Sequence, residues 1–482
     1  MKPIRIVVFF TLLFSWVSFA KSATPGEIEQ LIQQGNFTQA KKAIAVLIAE
    51  GQLTPLEIYD WNVRSQILGR IEHDFRLERP AIMDYVKRYY PEADDAMLDK
   101  FEAENTLEMR IIDGKKRYFV NAAPNLFRLD TAAKQRKLEV DQPQPTPLDL
   151  TFLKHIPQVI SDTKRLGTPQ GEPVRMKVRY TVRLKDGVVP VGETVRCWLP
   201  YPRSDHRRQK DVELISVNSP NYIISPDEYL HKSLYMEKTV EAGQPTVFQL
   251  EFAYTSIPEW FDLKPEQVKP YDKTSELYKK YTAERDTHVI FTDKIKKLSE
   301  EAIGDEKEPL QIVQKTWEYI TDNYPWASAI EYSTVENHPE RVIDTGRGDC
   351  GMVSLLLITL CRYNGDPAKW QSGFMTPPGG VNLHDWAEVY FEGVGWVPID
   401  PSLGHRKRFF DPDDKDSANF FSRGTDAYRW IVNEDYSDSF FPAKIHLRSE
   451  TVDFQRGELE WKGGNLYFND WTYTFEVEYL DK

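Results

Sequence analysis

Apolar residues recur at helical spacing through the first part of the chain. From Ile28 onward they form a stripe of the kind that one face of a helix presents to a core. A second helical pair follows and leads into a hairpin, whose two-residue turn is Asp113-Gly114. This pattern predicts a helical N-terminal domain with a small hairpin over residues 24–140.

The run 142–147 alternates proline with glutamine and threonine, which predicts a stiff extended segment. We therefore expect a Pro-rich linker and connector over residues 141–170. From Val174 to Leu184 the period changes to two, because apolar residues alternate with arginine, lysine and threonine. Similar strands follow, and residues 171–270 are predicted to form a β-sandwich.

The second half of the chain contains both the helical spacing and the strand-like alternation of apolar residues. Residues 285–323 return to helical spacing, and residues 351–363 are almost wholly apolar and of helical length. Strand-like alternation follows, so that residues 271–410 are predicted to be an α+β core. Alternation resumes near the C-terminus and predicts a C-terminal β extension over residues 411–482. The fold class is therefore expected to be multidomain α+β.

The N-terminus has the features of a secretory signal peptide. Lys2 and Arg5 precede an apolar run that is too short for a membrane span, and small residues flank Phe19. Residues 1–20 are expected to be removed after Ala20, which exports the mature protein to the periplasm or the exterior. A retained N-terminal membrane anchor is the alternative. Because no later run approaches ~20 apolar residues, no stable membrane insertion is expected after cleavage.

Charge and cysteine content exclude some classes of partner and fold. The net charge is −13 and becomes −15 without Lys2 and Arg5. This charge disfavours nucleic acid and anionic membranes, because both bind basic surfaces. Three cysteines in 482 residues are too few for a disulfide framework. Stability must therefore come from apolar cores.

Cys350 follows a polar, glycine-rich turn and opens the apolar helix. The free N–H groups and the dipole at a helix N-terminus favour an anion and lower the pKa of a thiol, which a nucleophilic cysteine requires. A small buried hydrophobe is the alternative, as for most free cysteines. Cys361 is the internal comparison, since it lies in the apolar stripe ~16 Å further along the helix. Cys361 and Cys197 are both expected to be core residues.

His384 and Asp400 lie on the two strands of a predicted hairpin, which turns at residues 392–395. The antiparallel return brings Asp400 near His384, where a carboxylate can accept from one imidazole nitrogen and leave the other for a thiol. Taken alone, His384 fits a sheet histidine and Asp400 fits a turn residue before Pro401. Together with Cys350 they form a candidate Cys-His-Asp triad.

Four short motifs carry a family resemblance. They read Gly-Asp-Cys at 348–350, Asp-Pro-Ala-Lys at 366–369, His-Asp-Trp-Ala-Glu-Val-Tyr at 384–390 and Gly-Trp-Val-Pro-Ile-Asp-Pro at 395–401. In chain order and spacing, the segment from about 320 to 402 resembles the transglutaminase-like superfamily, which has a papain-like fold. The resemblance implies that Cys350 is the nucleophile, His384 the base and Asp400 the residue that orients the base.

The same resemblance does not assign one of the two donors of the oxyanion hole. Tyr324 and Trp326 are candidates for the aromatic side chain that completes it, with the backbone N–H of Cys350 as the other donor. Unlike in many members, no aromatic residue follows Cys350 near the helix start. The family implies no metal requirement, although some members bind calcium. We expect no cofactor and no metal site, and the acidic residues of 411–416 are expected to form a solvated loop.

These residues predict a cysteine-dependent acyl-transfer enzyme that acts on amide bonds of a peptide or protein through a thioester. Because water is abundant and no amine site is visible, hydrolysis by a peptidase or amidase is favoured. A protein-glutamine transamidase, which cross-links proteins, is one alternative. The other is a non-catalytic binding or scaffold protein that works through the sandwich and the N-terminal helices, where a protein partner would bind.

Overall fold

The computed structural model describes residues 23–480. The predicted signal peptide at residues 1–20 therefore lies outside the described residues. Helices and strands form successive blocks along the chain, and the multidomain α+β architecture that the sequence predicts is confirmed. None of the helices within the described residues is long and apolar enough to cross a membrane.

Short, well-capped helices build the N-terminal domain. Thr24 and Thr54 each form a capping box with the glutamate three residues later, and each is followed by a proline. The predicted hairpin is present, with Ile112 paired to Lys115 across its turn. The elements are α1 (Pro25–Gln33), α2 (Phe37–Ala49), α3 (Pro55–Asp74), α4 (Arg79–Val86), α5 (Asp95–Ala103), β1 (Met109–Ile112), β2 (Lys115–Tyr118), α6 (Ala122–Leu129) and α7 (Thr131–Asp141).

The next element is a helix, α8 (Pro147–Leu166), in the segment where the sequence analysis expects a linker. Thr146 forms a capping box with Asp149, and Pro147 occupies the first turn. The last proline of the run therefore starts a helix, because a proline in the first turn loses no intrahelical hydrogen bond. The extended linker is accordingly shorter than predicted.

Two antiparallel sheets form the sandwich. One has the order β17-β3-β8-β5 and the other the order β16-β15-β4-β7-β6, so each sheet contains strands from the C-terminal end of the chain. Alternating residues of β3 are buried between the sheets, as its period of two predicts. The strands are β3 (Val174–Leu184), β4 (Thr194–Pro200), β5 (Gln209–Val217), β6 (Tyr222–Ile224), β7 (Ser233–Thr239), β8 (Val247–Ser256), β15 (Glu458–Trp461), β16 (Gly464–Leu466) and β17 (Trp471–Leu480).

The C-terminal strands correct the expected domain boundary. Residues 411–482 are predicted to form a C-terminal β extension with a boundary of its own, whereas β17 pairs with β3 of the sandwich from Trp471–Leu184 to Leu480–Arg175. β15 pairs with β4 in the other sheet. An amphipathic edge strand buries its apolar face by adding to an existing sheet, so the extension completes the sandwich.

The α+β core packs helices on a sheet of order β12-β11-β10-β14. The helix α13 is buried almost throughout and packs on β10 and β11. Its start therefore lies beside the strand that carries His384. The elements are β9 (Glu259–Trp260), α9 (Glu276–Thr282), α10 (Asp293–Ala302), α11 (Pro309–Asn323), α12 (His338–Thr345), α13 (Cys350–Tyr363), β10 (Ala368–Met375), β11 (Asn382–Phe391), β12 (Gly395–Ile399), α14 (Lys415–Ala418), β13 (Gly424–Thr425) and β14 (Arg429–Asn433).

Candidate active site

A short turn presents Cys350 as the first residue of α13. Before it, Gly346 ends α12 in the left-handed conformation, with φ of +65°. Asp349 caps α13, and its carboxylate accepts the backbone N–H of Met352 at 3.2 Å. The thiol thus lies at the N-terminus of a buried helix, as the sequence predicts.

The N-terminal domain holds this turn in place. Arg347 donates to the Glu108 carboxylate at 2.9 Å and to the carbonyl of Asn105 at 2.6 Å. Nearby, Asn125 exchanges two hydrogen bonds with the backbone of Ser328, at 2.8 and 3.0 Å. The helical domain is therefore part of the architecture that positions Cys350.

The aromatic ring of Tyr332 covers the start of α13, next to Gly351. A Cβ at Gly351 would lie 2.2 Å from the hydroxyl oxygen of Tyr332. That hydroxyl donates to the Asp349 carboxylate at 2.5 Å. The aromatic group missing from the sequence after Cys350 is thus supplied at this place by Tyr332.

Replacing Gly351 by alanine is expected to lower stability by about 1–3 kcal/mol, because the new methyl group forces the Tyr332 ring away from the helix. Loss of the hydrogen bond to Asp349 adds to this cost. Gly69→Ala is the matched control, since Gly69 lies inside α3 with no atom within 4 Å of its Cβ position. That control is expected to gain about 0.5–1 kcal/mol. Thermal unfolding of both variants decides the point, and an equal effect at the two positions would contradict the packing argument.

The hairpin brings His384 and Asp400 into contact. Pairing of β11 with β12 ends at Ala387–Ile399, so Asp400 follows directly on the last paired residue. Nε2 of His384 lies 2.6 Å from a carboxylate oxygen of Asp400. Both side chains are buried. The predicted proximity of these two residues is therefore present in the structure.

Asp400 is held in its ionised form. Ser402 Oγ and the Leu403 N–H donate to one carboxylate oxygen at 2.9 and 3.1 Å. The guanidinium of Arg429 donates to the other oxygen at 3.2 Å. Burial opposes ionisation, but the charges and hydrogen bonds of His384 and Arg429 outweigh it and hold the pKa of Asp400 well below its usual range.

The thiol itself contacts a residue that the sequence analysis does not single out. Cys350 Sγ donates to a carboxylate oxygen of Asp385 at 3.3 Å. Within residues 23–480 its hydrogen-bond acceptor is Asp385 and not His384. Asp385 directly follows His384 on β11, and both residues line the same cavity as Cys350. The structure therefore brings His384 and Asp400 together, while the thiol of Cys350 contacts a neighbouring carboxyl group.

The pKa of Cys350 differs from the sequence expectation. Burial raises it well above its usual value, and the nearby carboxyl groups of Asp385 and Asp349 raise it further. The favourable field of the helix start is thus outweighed in this state. Burial also raises the pKa of Asp385 to about 8, and the charge of Asp349 contributes to this rise. At neutral pH the thiol and the Asp385 carboxyl group are accordingly both protonated for most of the time.

The C-terminal segment before β15 completes the environment of Asp385. Gln455 donates to the Asp385 carboxylate at 2.7 Å and to the backbone carbonyl of His384 at 3.0 Å. Glu450 and Asp453 are buried nearby, and burial raises the pKa of each well above its usual value. The sequence offered no local signal for these residues, because they lie far from Cys350 along the chain.

Replacing Asp385 by asparagine is expected to lower the pKa of the Cys350 thiol, because a negative charge beside the thiolate is removed. The alkylation rate of Cys350 by iodoacetamide, measured against pH, reports this pKa. Its midpoint should move to lower pH in Asp385→Asn. Asp344→Asn removes a charge from a half-exposed carboxylate paired with Lys294 and should leave the midpoint in place. A midpoint that stays constant or rises in Asp385→Asn would contradict the assignment.

A cavity of about 1070 Å³ opens over the site. Cys350, His384 and Asp385 line it, whereas Asp400 lies behind His384 and away from the surface. The lining residues come from several parts of the chain, among them the N-terminal domain, the core and the segment before β15. A chain of several residues fits such a cleft.

Of the two candidates for the oxyanion hole, only Trp326 lines the cavity. Trp326 forms a β-bridge with Gly348, two residues before Cys350, and its side chain is 39% exposed. Tyr324 instead packs against Tyr319, with ring centroids 6.2 Å apart. Of the two, therefore, Trp326 alone is placed where a side chain can reach a bound substrate.

One cluster of side chains outside the cavity has the residue types that can bind a metal ion. Within the described residues, His206, Glu388 and Glu434 bring possible ligand atoms within 4.8 Å of one another. The ammonium group of Lys369 already lies 3.1 Å from Glu388 and 2.6 Å from Glu434. Arg207 donates to Glu388 at 2.7 Å. Because the protein's own cations neutralise these carboxylates, the cluster is a buried ion-pair network and does not favour a metal.

Comparisons with known proteins find a family match over part of the chain. Residues 296–401 match the transglutaminase-like superfamily. The protein YebA of Bacillus subtilis, described as uncharacterised, is 28% identical over 123 residues, which is 20% of this chain and 17% of that protein. The chain thus spans about a sixth of the length of that relative.

Two solved structures are similar to larger parts of the chain. A candidate cysteine protease from Cytophaga hutchinsonii is 15% identical with a TM-score of 0.41, over 65% of this chain and 93% of that one. The periplasmic domain of TgpA from Pseudomonas aeruginosa is 13% identical with a TM-score of 0.26, over 48% of this chain and 88% of that one.

Residues 296–401 therefore form a transglutaminase-like domain. The resemblance that the sequence motifs indicate is confirmed for this part of the chain. Cys350, His384 and Asp400 all lie within these boundaries.

Proposed function

We propose that the protein is a cysteine-dependent acyl-transfer enzyme that hydrolyses amide bonds, as a peptidase or amidase. Cys350 is the nucleophile, His384 the general base and Asp400 the residue that orients His384. The observation that carries the proposal is the contact of 2.6 Å between His384 and Asp400 in the wall of the cavity that also exposes Cys350. An ionised, buried carboxylate beside a histidine fixes the ring and stabilises its protonated form.

The reaction proceeds in two steps. Sγ of Cys350 attacks the amide carbon while His384 takes the thiol proton, and the proton is then passed to the departing amine as the C–N bond breaks. Water then attacks the thioester while His384 takes a proton from it, the acid leaves as the C–S bond breaks, and His384 returns the proton to the Cys350 thiolate. Because Nε2 of His384 is engaged by Asp400, Nδ1 is the nitrogen that exchanges protons.

The contact between Cys350 and Asp385 is the resting arrangement in this proposal. A rotation of the Cys350 side chain transfers the thiol from Asp385 to His384 when substrate enters. Hydrogen bonds between catalytic groups are often long or misaligned without substrate and tighten in the complex. Trp326 and the backbone N–H of Cys350 are the proposed donors to the oxyanion.

Hydrolysis and transamidation give different products from the same thioester. A library of quenched fluorescent peptides, with Cys350→Ala as blank, is expected to yield free carboxylic acids as products. Added glycine methyl ester should not change the rate at which the amine is released. If product forms only in the presence of the added amine, the enzyme is a transamidase and hydrolysis is the wrong assignment.

We further propose that the protein is exported. Residues 1–20 support this through their basic start, apolar run and small residues before the cleavage position. The mass of protein purified after expression in a Gram-negative host tests it. The expected mature chain begins at Lys21 and is recovered from the periplasm or medium, whereas an intact N-terminus on membrane-bound protein would contradict export.

A further inference from the structure

We propose that the cleft selects acidic peptides, whose carboxylate side chains contact a basic rim formed by Arg128, Lys134 and Arg408. This inference rests on the proposed function and adds the substrate class. All three residues line the cavity that contains Cys350.

The rim combines two walls from different parts of the chain. One wall is formed by α6 and α7 and carries Arg128, Lys134 and Lys137. The other is the segment 405–408, which follows closely on Asp400 and carries Lys407 and Arg408. A substrate in this cleft therefore meets positive charge from two separate parts of the chain.

Some of these cations are already neutralised. Lys137 pairs with Asp141, and Lys407 pairs with Asp322. Arg406, on the same wall, pairs with Asp149. Each of these ion pairs is neutral, so these three cations add nothing to the net charge of the rim.

Arg128, Lys134 and Arg408 have no carboxylate within salt-bridge distance among residues 23–480. Arg128 is half-buried, stacks 4.9 Å from the ring centre of Trp326 and donates to Asn125 at 2.8 Å. Arg408 stacks on Phe409 at 4.9 Å. A partly desolvated guanidinium without an anion favours a ligand that supplies one. The rim is thus net positive in a chain whose net charge is −13.

The inner end of the cleft is lined by carboxyl groups. Asp349, Asp385, Glu450 and Asp453 line it close to Cys350. They supply no cation to a substrate carboxylate next to the scissile amide. The unpaired cations available to an acidic side chain of the substrate are therefore those of the rim.

Exposed apolar side chains in the cleft favour a peptide over an inorganic or carbohydrate anion. Leu138, Val381 and Trp326 line the cleft and are 45%, 42% and 39% exposed. Side chains of this kind cover apolar parts of an extended peptide, while the cations fix its acidic residues. Opposite charge at a cleft mouth also accelerates binding at low salt.

The test compares peptides that differ only in charge. In the quenched fluorescent library, peptides with glutamate at positions remote from the cleaved bond are compared with their glutamine counterparts. The wild-type kcat/KM is expected to be about tenfold higher for glutamate peptides at low ionic strength. This preference should fall as NaCl rises from about 0.05 M to about 0.5 M, because salt screens exposed charges.

Removal of two rim cations should abolish the preference. The double variant Lys134→Gln and Arg408→Gln is expected to lower kcat/KM for glutamate peptides about tenfold, mainly through KM, and to leave glutamine peptides unchanged. The charge-preserving variant Lys134→Arg should keep the preference. Lys279→Gln, an exposed lysine on α9 paired with Glu276, is the matched control and should behave as wild type.

The outcomes separate this inference from the proposed function. Hydrolysis that depends on Cys350 but treats glutamate and glutamine alike, or prefers glutamine, overturns the basic-rim inference and leaves the enzyme assignment standing. An unchanged preference in the double variant also overturns the assignment to Lys134 and Arg408. Absence of any Cys350-dependent cleavage overturns both proposals together.

Discussion

Replacing Cys350 by alanine is expected to lower kcat/KM for an amide substrate by about 10⁴-fold or more, because the thioester that we propose forms on its thiol. The side chain is half-buried at the floor of the cavity and touches Asp385 at 3.3 Å. Its loss removes few packing contacts, so the variant should remain folded. Initial rates with equal concentrations of folded protein measure the effect.

Cys361 provides the control for this substitution. It lies in the same helix, is fully buried and does not line the cavity. Cys361→Ala is expected to cost stability through a small cavity while keeping kcat close to the wild-type value at temperatures where it is folded. Turnover that persists in Cys350→Ala, or is lost equally in both variants, would contradict a nucleophilic role for Cys350.

Replacing Asp400 by asparagine is expected to lower kcat by about 10³–10⁴-fold, because the neutral amide no longer stabilises protonated His384 and presents a donor where an acceptor is needed. The pKa of Asp400 lies well below its usual range, so its stabilising charge is present above the unfolded-state pKa. That contribution is lost only as pH falls through the acidic region. Activity measured around neutral pH therefore reports the wild-type carboxylate in its ionised form.

Asp426→Asn is the control that distinguishes the electrostatic role of Asp400 from an effect on stability. Asp426 is buried and pairs with Arg429 at 2.7 Å, the same guanidinium that contacts Asp400. Its replacement disturbs that ion pair without removing the partner of His384. We expect comparable destabilisation of the two variants but a much smaller loss of kcat in Asp426→Asn. Equal loss of kcat would show that Asp400 acts only by supporting the fold.

Local sequence signals were sufficient for the elements that carry the proposed triad. A polar turn before an apolar run predicts the start of α13, and hairpin spacing predicts that Asp400 approaches His384. These predictions depend on neighbouring residues and on the periods of helices and strands. The structure accordingly places Cys350 at a helix N-terminus and His384 beside Asp400.

Features that depend on distant pairing could not be predicted in the same way. Alternation in residues 472–479 indicates a strand but does not identify β3 as its partner. Likewise, nothing near Cys350 in the sequence indicates that Gln455 approaches Asp385 or that Tyr332 covers Gly351. Asp385 itself directly follows His384, yet its contact with the thiol depends on how α13 packs on β11.

The prediction about the Cys350 pKa failed for a related reason. A helix N-terminus favours the thiolate locally, whereas burial and the carboxyl groups of Asp385 and Asp349 depend on the assembled site. In our account the resting thiol is protonated, and deprotonation accompanies its transfer to His384. Reactivity toward small alkylating reagents is therefore expected to be low at neutral pH even in an active enzyme.

The most direct test of the account is the mass of the acyl-enzyme. The protein is mixed with the p-nitrophenyl ester of an N-acetylated amino acid, quenched in acid within its first turnovers and measured intact. We predict a mass increase equal to the acyl group, located on the peptide that contains Cys350, removed by hydroxylamine and absent from Cys350→Ala. Steady turnover without this adduct, or an adduct on another residue, would contradict thioester catalysis by Cys350.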